Sequence, residues 1–506
     1  MEVAVVGLRS RYATLLAEAP DEARAVDFED RWHHWVAMRT LAGRLDDLLG
    51  DRGLAAASRV GFVIENRPEH VAGVLGLLAS DRCLVTLNPL QPPERLAADI
   101  AKSALPVVVA STAILRDEAI RAAIESVGAV IELRPDWKLE HCGGEVSEDA
   151  IVANSGVMIE MFTSGTTGPP KRIELTDLQL DRAVSATAQP PDKRLLRSSV
   201  SLVVAPLVHI GGLFSVLAPF YAGRSIAMLP KFSVGPWVEL VARHRPRAAG
   251  LVPAALRAVL DADVPPERIA SLQVVTCGTA ACPPELAAAF YDRYGIRVLM
   301  TYGATEFAGA IAGWTKPMHE KWWDGKQGSV GRARRGVDLR VVGEDGRELV
   351  PGQEGILEIR TAQSPQGPGV WVRSSDRAVL DNDGFLFIRG RTDDAIIRGG
   401  FKIQPRLIED ALRRHPAVRE AAVVPLPDKR LGHVPVAAVE VAANGARPTP
   451  EDLRNLCRDV LTPYEVPVFV AVLDELPRTP SAKVSRIDLL DRITAEMDRD
   501  PAEAAR

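Results

Sequence analysis

Apolar residues recur at helical spacing over Val36–Leu49. The chain then switches to a short continuous apolar run at Arg59–Ile64, closed by the turn residues Glu65-Asn66-Arg67-Pro68. The same switch repeats. His70–Ala79 reads as helix, Cys83–Leu87 as buried strand, Glu94–Ala101 as helix and Pro106–Ala110 as strand. Further on, Trp237–His244 and Pro284–Tyr294 read as helices, and Ala248–Val252, Leu272–Cys277 and Val298–Thr301 as strands. Strands alternating with helices predict an α/β fold of mostly parallel sheets covered by helices.

After about Gln327 the pattern changes. Val337–Val342, Gly355–Ile359 and Phe385–Ile388 are short strands between Gly, Asp and Pro turns, which predicts a small antiparallel β unit. From Phe401 the chain reads as α+β. Helices are expected at Arg406–Arg414 and Pro450–Leu461, and strands at Glu420–Pro425, Pro435–Val441 and Val466–Val472. Pro477–Arg486 is turn-rich and basic, and the polar tail after Arg492 reads as a frayed helix. There is no internal repeat.

Ser198–Gly223 carries no Lys, Arg, Asp or Glu and is long enough to be weighed as a membrane span. Pro206, His209, Gly211-Gly212 and Pro219 break it into a strand-like run (Ser201–Ala205), a loop and a helix-like run (Leu213–Tyr221), so a buried strand, loop and helix is expected.

The 506 residues correspond to three or four domain-sized units, or two with one large, and bury a core without metals or disulfides. A net charge of −5 argues against a general nucleic-acid binder. The cysteines (Cys83, Cys142, Cys277, Cys282, Cys457) are odd in number and scattered, which suits a reducing compartment. Met1–Arg9 lacks the form of a secretory signal, and a cytoplasmic location is expected.

The most informative run is Thr163-Ser164-Gly165-Thr166-Thr167-Gly168-Pro169-Pro170-Lys171, led in by Met161-Phe162. Closely spaced glycines and hydroxyls let backbone N–H and side-chain O–H groups converge on phosphate oxygens, and the lysine adds a point charge. A flexible Ser/Thr/Gly surface loop is the plain alternative, against which the apolar lead-in and double proline speak. It is not a Walker loop, because Pro170 precedes Lys171 and Arg172 follows it.

The run resembles the phosphate-loop signature of the adenylate-forming enzymes, the superfamily of acyl-CoA synthetases, peptide-synthetase adenylation domains and firefly luciferase. Arg172 stands where that family usually has Gly. Four more signatures follow in the family's order, so the resemblance spans about Leu41 to Arg486. In Thr301-Tyr302-Gly303-Ala304-Thr305-Glu306, it implies Tyr302 and Gly303 beside adenine, Thr305 at phosphate and Glu306 holding Mg²⁺. Gly278-Thr279-Ala280 resembles the adenine-flanking turn, and its small residues permit close approach. Cys277 and Cys282 read as packing thiols.

In Arg373-Ser374-Ser375-Asp376, where the family has Thr-Gly before the acid, Asp376 is implied to accept from the ribose diol. The stretch Gly390–Ile403 implies Arg391 at the nucleotide, a hinge at Asp393, and Gly399 and Gly400 beside the pantetheine tunnel. In Pro477–Val484, Lys483 is implied to contact the substrate carboxylate and ATP, with Ala482 in place of the usual Gly.

By resemblance the fold is a large N-terminal domain, 1–392, and a smaller mobile α+β C-terminal domain, 393–506. The acyl pocket is implied at Ala205–Leu213, with His209 at the carboxylate end and Phe214, Tyr302, Gly303, Phe307 and Ala308 along the walls. A packed histidine with satisfied nitrogens is the plain alternative for His209. No Asp occurs between Lys193 and Leu260 to pair with a substrate ammonium, which disfavours an amino acid. The implied catalytic set is Thr163, Lys171, His209, Glu306 and Lys483. ATP, Mg²⁺ and coenzyme A are the implied cofactors. The expected activity is AMP-forming ligation of an apolar carboxylic acid to CoA. The motifs leave open an amine or carrier-protein thiol as acceptor, monomer or homodimer, and a non-catalytic nucleotide sensor. Retention of Lys171, Glu306, Asp376, Arg391 and Lys483 speaks against the sensor.

Overall fold

The computed structural model describes residues 7–146, 151, 153–163, 171–187, 194–392, 394–398, 401–428, 430–441, 447–479 and 482–499. Two compact units are present: Met1–Asp338 with Arg360–Val372, and Leu339–Ile359 with Arg373–Arg506. This division by contacts falls elsewhere than the expected domain boundary at Asp393, a residue outside the described ones.

The first unit holds three sheets. The largest has seven strands in the order Leu139–Gly143, Ala129–Leu133, Val107–Ser111, Arg59–Val63, Cys83–Leu87, Val157–Thr163, Lys171–Thr176. Its inner pairs are parallel and its two outermost pairs antiparallel. Arg59–Val63, Cys83–Leu87 and Val107–Ser111 are buried at every position, as expected of parallel strands covered on both faces. The helix Pro68–Ala79 is buried almost all round, which its near-continuous apolar sequence requires.

The second sheet runs Val200–Val203, Ser225–Met228, Arg24–Phe28, Arg31–His34. The third runs Ala248–Leu251, Val274–Cys277, Arg297–Ala304, Gly309–Gly313, Arg332–Ala333. Its first three strands are parallel, so their carboxyl ends share one edge, where ligands bind in open α/β sheets.

Ser198–Gly223 resolves into the strand Val200–Val203, a loop and the 12-residue helix Ile210–Tyr221. No helix among the described residues is long and apolar enough to cross a membrane.

The second unit carries most of a four-stranded sheet ordered Val337–Val342, Glu354–Thr361, Trp371–Leu380, Leu386–Arg391. It also holds an α+β layer in which Gly432–Val441 pairs antiparallel with Val418–Asp428 and parallel with Phe469–Leu473. Helices Pro405–Leu412 and Pro450–Val460 supply one apolar layer and Arg486–Arg499 supplies the other. The expected frayed tail is ordered helix through Arg499, anchored by buried Leu489 and Ile493.

Candidate active site

The third sheet of the first unit assembles most of the expected site residues of that unit. Gly278 follows Val274–Cys277 directly, and a Cβ there would lie 2.5 Å from Thr301 Oγ1, so a side chain at this position would displace the Thr301 hydroxyl. The Thr301 hydroxyl donates to the Cys277 carbonyl at 3.4 Å. Thr279 is exposed and left-handed, with φ +68°. The Cys277 thiol is pushed well up, first by the adjoining Cys282 thiol and then by burial, so the Cys277 sulfur stays a protonated packing group.

Tyr302 and Gly303 lie at the end of Arg297–Ala304, and Thr305, Glu306 and Phe307 form one 3-10 turn beyond it. A Cβ on Gly303 would lie 2.0 Å from the Gly309 carbonyl, which fixes how tightly the chain doubles back. Phe214 faces the same bend, since a Cβ on Gly309 would touch its ring at 3.4 Å. Tyr302 and Phe214 keep partial exposure, whereas Phe307 and Ala308 are packed out of solvent.

Helix Ile210–Tyr221 starts at the same place. His209 occupies its N-cap in extended conformation, and its carbonyl accepts from Leu213 N–H at 3.0 Å. A Cβ on Gly211 would sit 3.7 Å from Thr279 Cγ2, so this N-terminus abuts the turn that follows Cys277.

Two positioning residues escaped the sequence reading. Buried Asn66 donates to the carbonyls of Ala205 and Leu229, both at 3.1 Å, and accepts from Leu207 N–H at 2.8 Å. It was read only as a turn residue. Buried Gln179 accepts from Thr176 N–H at 2.8 Å and donates to the carbonyls of Gln363 at 3.0 Å and Glu306 at 3.5 Å. It thereby ties the Glu306 turn to the strand Lys171–Thr176. Their partners lie up to 184 residues away, so local spacing carries no sign of them.

Ser164, Gly165, Thr166, Thr167 and Gly168 lie outside the described residues, as do the side chains of Thr163 and Lys171. The ends of that segment are held in register, because Thr163 pairs with Lys171 and Phe162 with Arg172. Arg172 donates to Glu160 at 2.5 Å. Glu160 is fully buried and also takes Arg59 Nε and Nη2 at 3.0 Å each and Asn154 Nδ2 at 2.7 Å. Burial pushes the Glu160 carboxyl up, but the bonds from Arg59 and Arg172 outweigh it and leave the group below the usual carboxylate range.

In the second unit, Asp376 stands opposite Arg391 across two antiparallel strands. The Ser374-Ser375 departure has structural work here. The Ser374 hydroxyl accepts from Asp376 N–H at 3.1 Å, and the Ser375 hydroxyl accepts from Arg391 Nη2 at 2.7 Å. Lys483 closes a tight turn in which its carbonyl accepts from Thr479 N–H at 2.6 Å and its N–H donates to Thr479 Oγ1 at 3.2 Å. Ala482 is left-handed with φ +61°, the conformation that makes glycine the usual residue there. Loss of solvent first, and the Arg391 guanidinium second, hold the Lys483 ammonium below the usual lysine range, although the residue keeps a surface face. Asp393, Gly399 and Gly400 lie outside the described residues.

No cluster of three or more His, Cys, Asp or Glu among the described residues could cage a metal. Mg²⁺ does not require such a cage, since it is commonly held by one or two carboxylates together with substrate phosphates and water. Glu306 is the half-exposed carboxylate at this edge.

Residues 14–367 match the family model of the AMP-binding enzymes, and residues 407–483 match that of the AMP-binding enzyme C-terminal domain. The chain is 31% identical over 494 residues to a sulfoacetate–CoA ligase of Cupriavidus necator, covering 94% of each protein. It is also 31% identical over 500 residues to an indoleacetate–CoA ligase of Aromatoleum aromaticum, covering 92% of this chain and 94% of the other. Among solved structures, it resembles the amide bond synthetase McbA from Marinactinospora thermotolerans, with a TM-score of 0.79 and 25% identity over 97% of this chain and 100% of that one.

Proposed function

The chain belongs to the AMP-binding enzymes, and on that premise we propose that it activates a carboxylic acid with ATP and passes the acyl group to the thiol of coenzyme A. The observation that carries this reading is the meeting, at one sheet edge, of the Gly278–Ala280 turn, the Tyr302–Glu306 turn and the His209 helix start. Nucleotide and acid can be held side by side there.

A carboxylate is a poor acyl donor because its leaving group is oxide. In the first half-reaction, a carboxylate oxygen attacks the α-phosphorus of ATP. The bond to the bridging oxygen breaks and pyrophosphate leaves. The resulting acyl adenylate has AMP as a good leaving group, and the CoA thiol displaces it. Charge builds on phosphate oxygens throughout, so catalysis is mainly positioning and electrostatics.

We assign the phosphate contacts to Thr163–Gly168, Lys171 and Thr305, adenine to Gly278–Ala280, Tyr302 and Gly303, the ribose to Asp376, and a further nucleotide contact to Arg391. Lys483 supplies positive charge to the adenylation step, and His209 stands at the acid. Glu306 would hold Mg²⁺, which when bound neutralises developing phosphate charge. Asp393 is assigned as hinge, and Gly399 and Gly400 as the border of the pantetheine path, on their motif alone. The five free thiols suit a reducing cytoplasm.

The similarity to an amide bond synthetase favours one second reading, with an amine as acceptor. Pyrophosphate release with ATP, Mg²⁺ and a panel of carboxylic acids, with and without CoA, tests both. Thioester detected by mass establishes the ligase, and release without thioester moves the acceptor to an amine or a carrier-protein thiol.

A further inference from the structure

The turn that carries Lys483 is anchored separately at its two ends. The Ser485 N–H donates to the Pro477 carbonyl at 2.8 Å, and Arg478 bridges to Val484, which draws the ends together. On the incoming side the anchor is the sheet. Arg478 Nη2 donates to Glu440 at 3.2 Å and also pairs with Glu420, and the Leu476 N–H donates to the same Glu440 at 3.1 Å. Glu440 is buried on the strand Gly432–Val441.

On the outgoing side the anchor is a different segment. The helix Arg486–Arg499 starts directly after Ser485, whose carbonyl accepts from the Leu489 N–H at 2.9 Å. Its first residue, Arg486, pairs through Nη1 with Asp394 Oδ1 at 2.6 Å, and Asp394 is the better covered partner, 12% exposed against 34%. Asp394 follows the residue assigned as hinge and stands three positions beyond Arg391, the last residue of the strand Leu386–Arg391. Arg391 is also near enough to Lys483 to act on its charge. The lysine turn therefore meets the Arg391–Asp394 segment twice, through Arg391 and through Arg486. Arg486 faces the interior as well: burial raises the Glu409 carboxyl, and Arg413 and then Arg486 oppose it. Glu409 is held on the helix Pro405–Leu412, where it accepts from the Val423 N–H at 3.1 Å. Removing one partner of a largely covered ion pair leaves the other uncompensated, so such a pair holds two segments in one register.

We propose that the Asp394–Arg486 ion pair is a positioning device for Lys483, fixing the lysine turn to the Arg391–Asp394 segment so that adenylate formation depends on the pair and the later transfer to thiol does not. This rests on the adenylation reading above. Arg486 and Asp394 act through Lys483 and touch no reacting atom. Arg478 holds the other end of the turn to the sheet and belongs to the fold.

The test uses the full chain and measures the two half-reactions apart. Adenylate formation is followed as single-turnover pyrophosphate release with ATP, Mg²⁺ and the acid that gives most release in the panel above. Transfer is followed as thioester formed from the matching synthetic acyl adenylate and CoA. In Arg486→Met and in Asp394→Asn, the maximal rate of adenylate formation should fall about tenfold or more, because a small misplacement of a charged group is costly. The KM for ATP and the transfer rate should each stay within about threefold, and the retained transfer shows that the variants are folded. Arg486→Lys should recover part of the loss. The double variant should lose no more than either single one, as two partners of one pair require. Equal loss in both half-reactions would overturn the proposal, and so would losses that multiply in the double variant or adenylate formation that is unchanged in the single ones. Wild-type protein that binds ATP but releases no pyrophosphate with any acid would instead refute the adenylation reading, and the proposal with it.

Discussion

Arg172 donates to the buried carboxylate of Glu160 at 2.5 Å, across the two strands that lead into and out of the Ser164–Pro170 segment. Glu160 is shared with Arg59, so one carboxylate compensates two guanidinium groups. Arg172→Gly, which restores the residue usual in the family, leaves Arg59 in place. Since Arg172 is itself 41% exposed, the expected loss is about 1 kcal/mol, together with a higher KM for ATP. Chemical denaturation and initial rates measure the two effects. An unchanged KM would show that the bond stabilises the sheet without steadying the loop.

Lys483→Ala should abolish pyrophosphate release while ATP binding persists, as measured by calorimetry. In the wild type, the charge on Lys483 is lost as pH rises through a value below 10.5, so adenylation should fall earlier on the alkaline side than an ordinary lysine would allow. Arg391→Met removes the second cause of that depression. The alkaline limb, recorded at saturating ATP, should then move to higher pH. A limb that stays in place would remove Arg391 from the account.

Ala482 adopts φ +61° directly before Lys483. Left-handed backbone costs a residue with a Cβ roughly 1–2 kcal/mol, part of which glycine gives back through its freer unfolded chain. Ala482→Gly should therefore raise stability by up to about 1 kcal/mol, seen as a higher Tm. A lower Tm would mean that the alanine methyl makes packing contacts worth more than the strain.

Gln179 holds the backbone of Glu306 from the helix Asp177–Thr187, more than a hundred residues earlier. Gln179→Leu keeps the volume and removes those bonds. A drop in kcat of about tenfold is expected, with more Mg²⁺ needed for half-maximal rate, because the Glu306 turn loses its support. A fall in stability with an unaltered Mg²⁺ requirement would confine Gln179 to folding.

His70 is fully buried, stacked on Phe62, and its pKa is lowered by burial, then by Arg67, to about 3. The unfolded chain takes up a proton near pH 6.5 while the fold refuses it. Stability should thus be level above that pH and fall below it, by up to about 1.4 kcal/mol per unit until roughly pH 3. His70→Gln should flatten this slope in urea titrations run at several pH values.

The parallel core was legible because covered strands are apolar throughout, as at Cys83–Leu87 and Val107–Ser111. Lys171–Thr176 was not, since as an edge strand it carries Lys171, Arg172 and Glu174. Gly309–Gly313 was missed for the opposite reason: Gly and Ala give no strand signal, and their smallness serves close packing against Gly303 and Phe214. Motif residues at the sheet edge could be read because each motif is contiguous. Asn66 and Gln179 could not, because what makes them matter is a partner supplied by another part of the chain.

Asn66 lies just past the strand Arg59–Val63 of the largest sheet, while the carbonyls of Ala205 and Leu229 that it grips stand just past two strands of another. One amide therefore staples two sheets together at the loop assigned to the acid. That loop inherits the stiffness of both. An acid held at that loop would meet a wall whose form exists before it arrives, and a poorly fitting one would be penalised at entry, with little adjustment available to accommodate it.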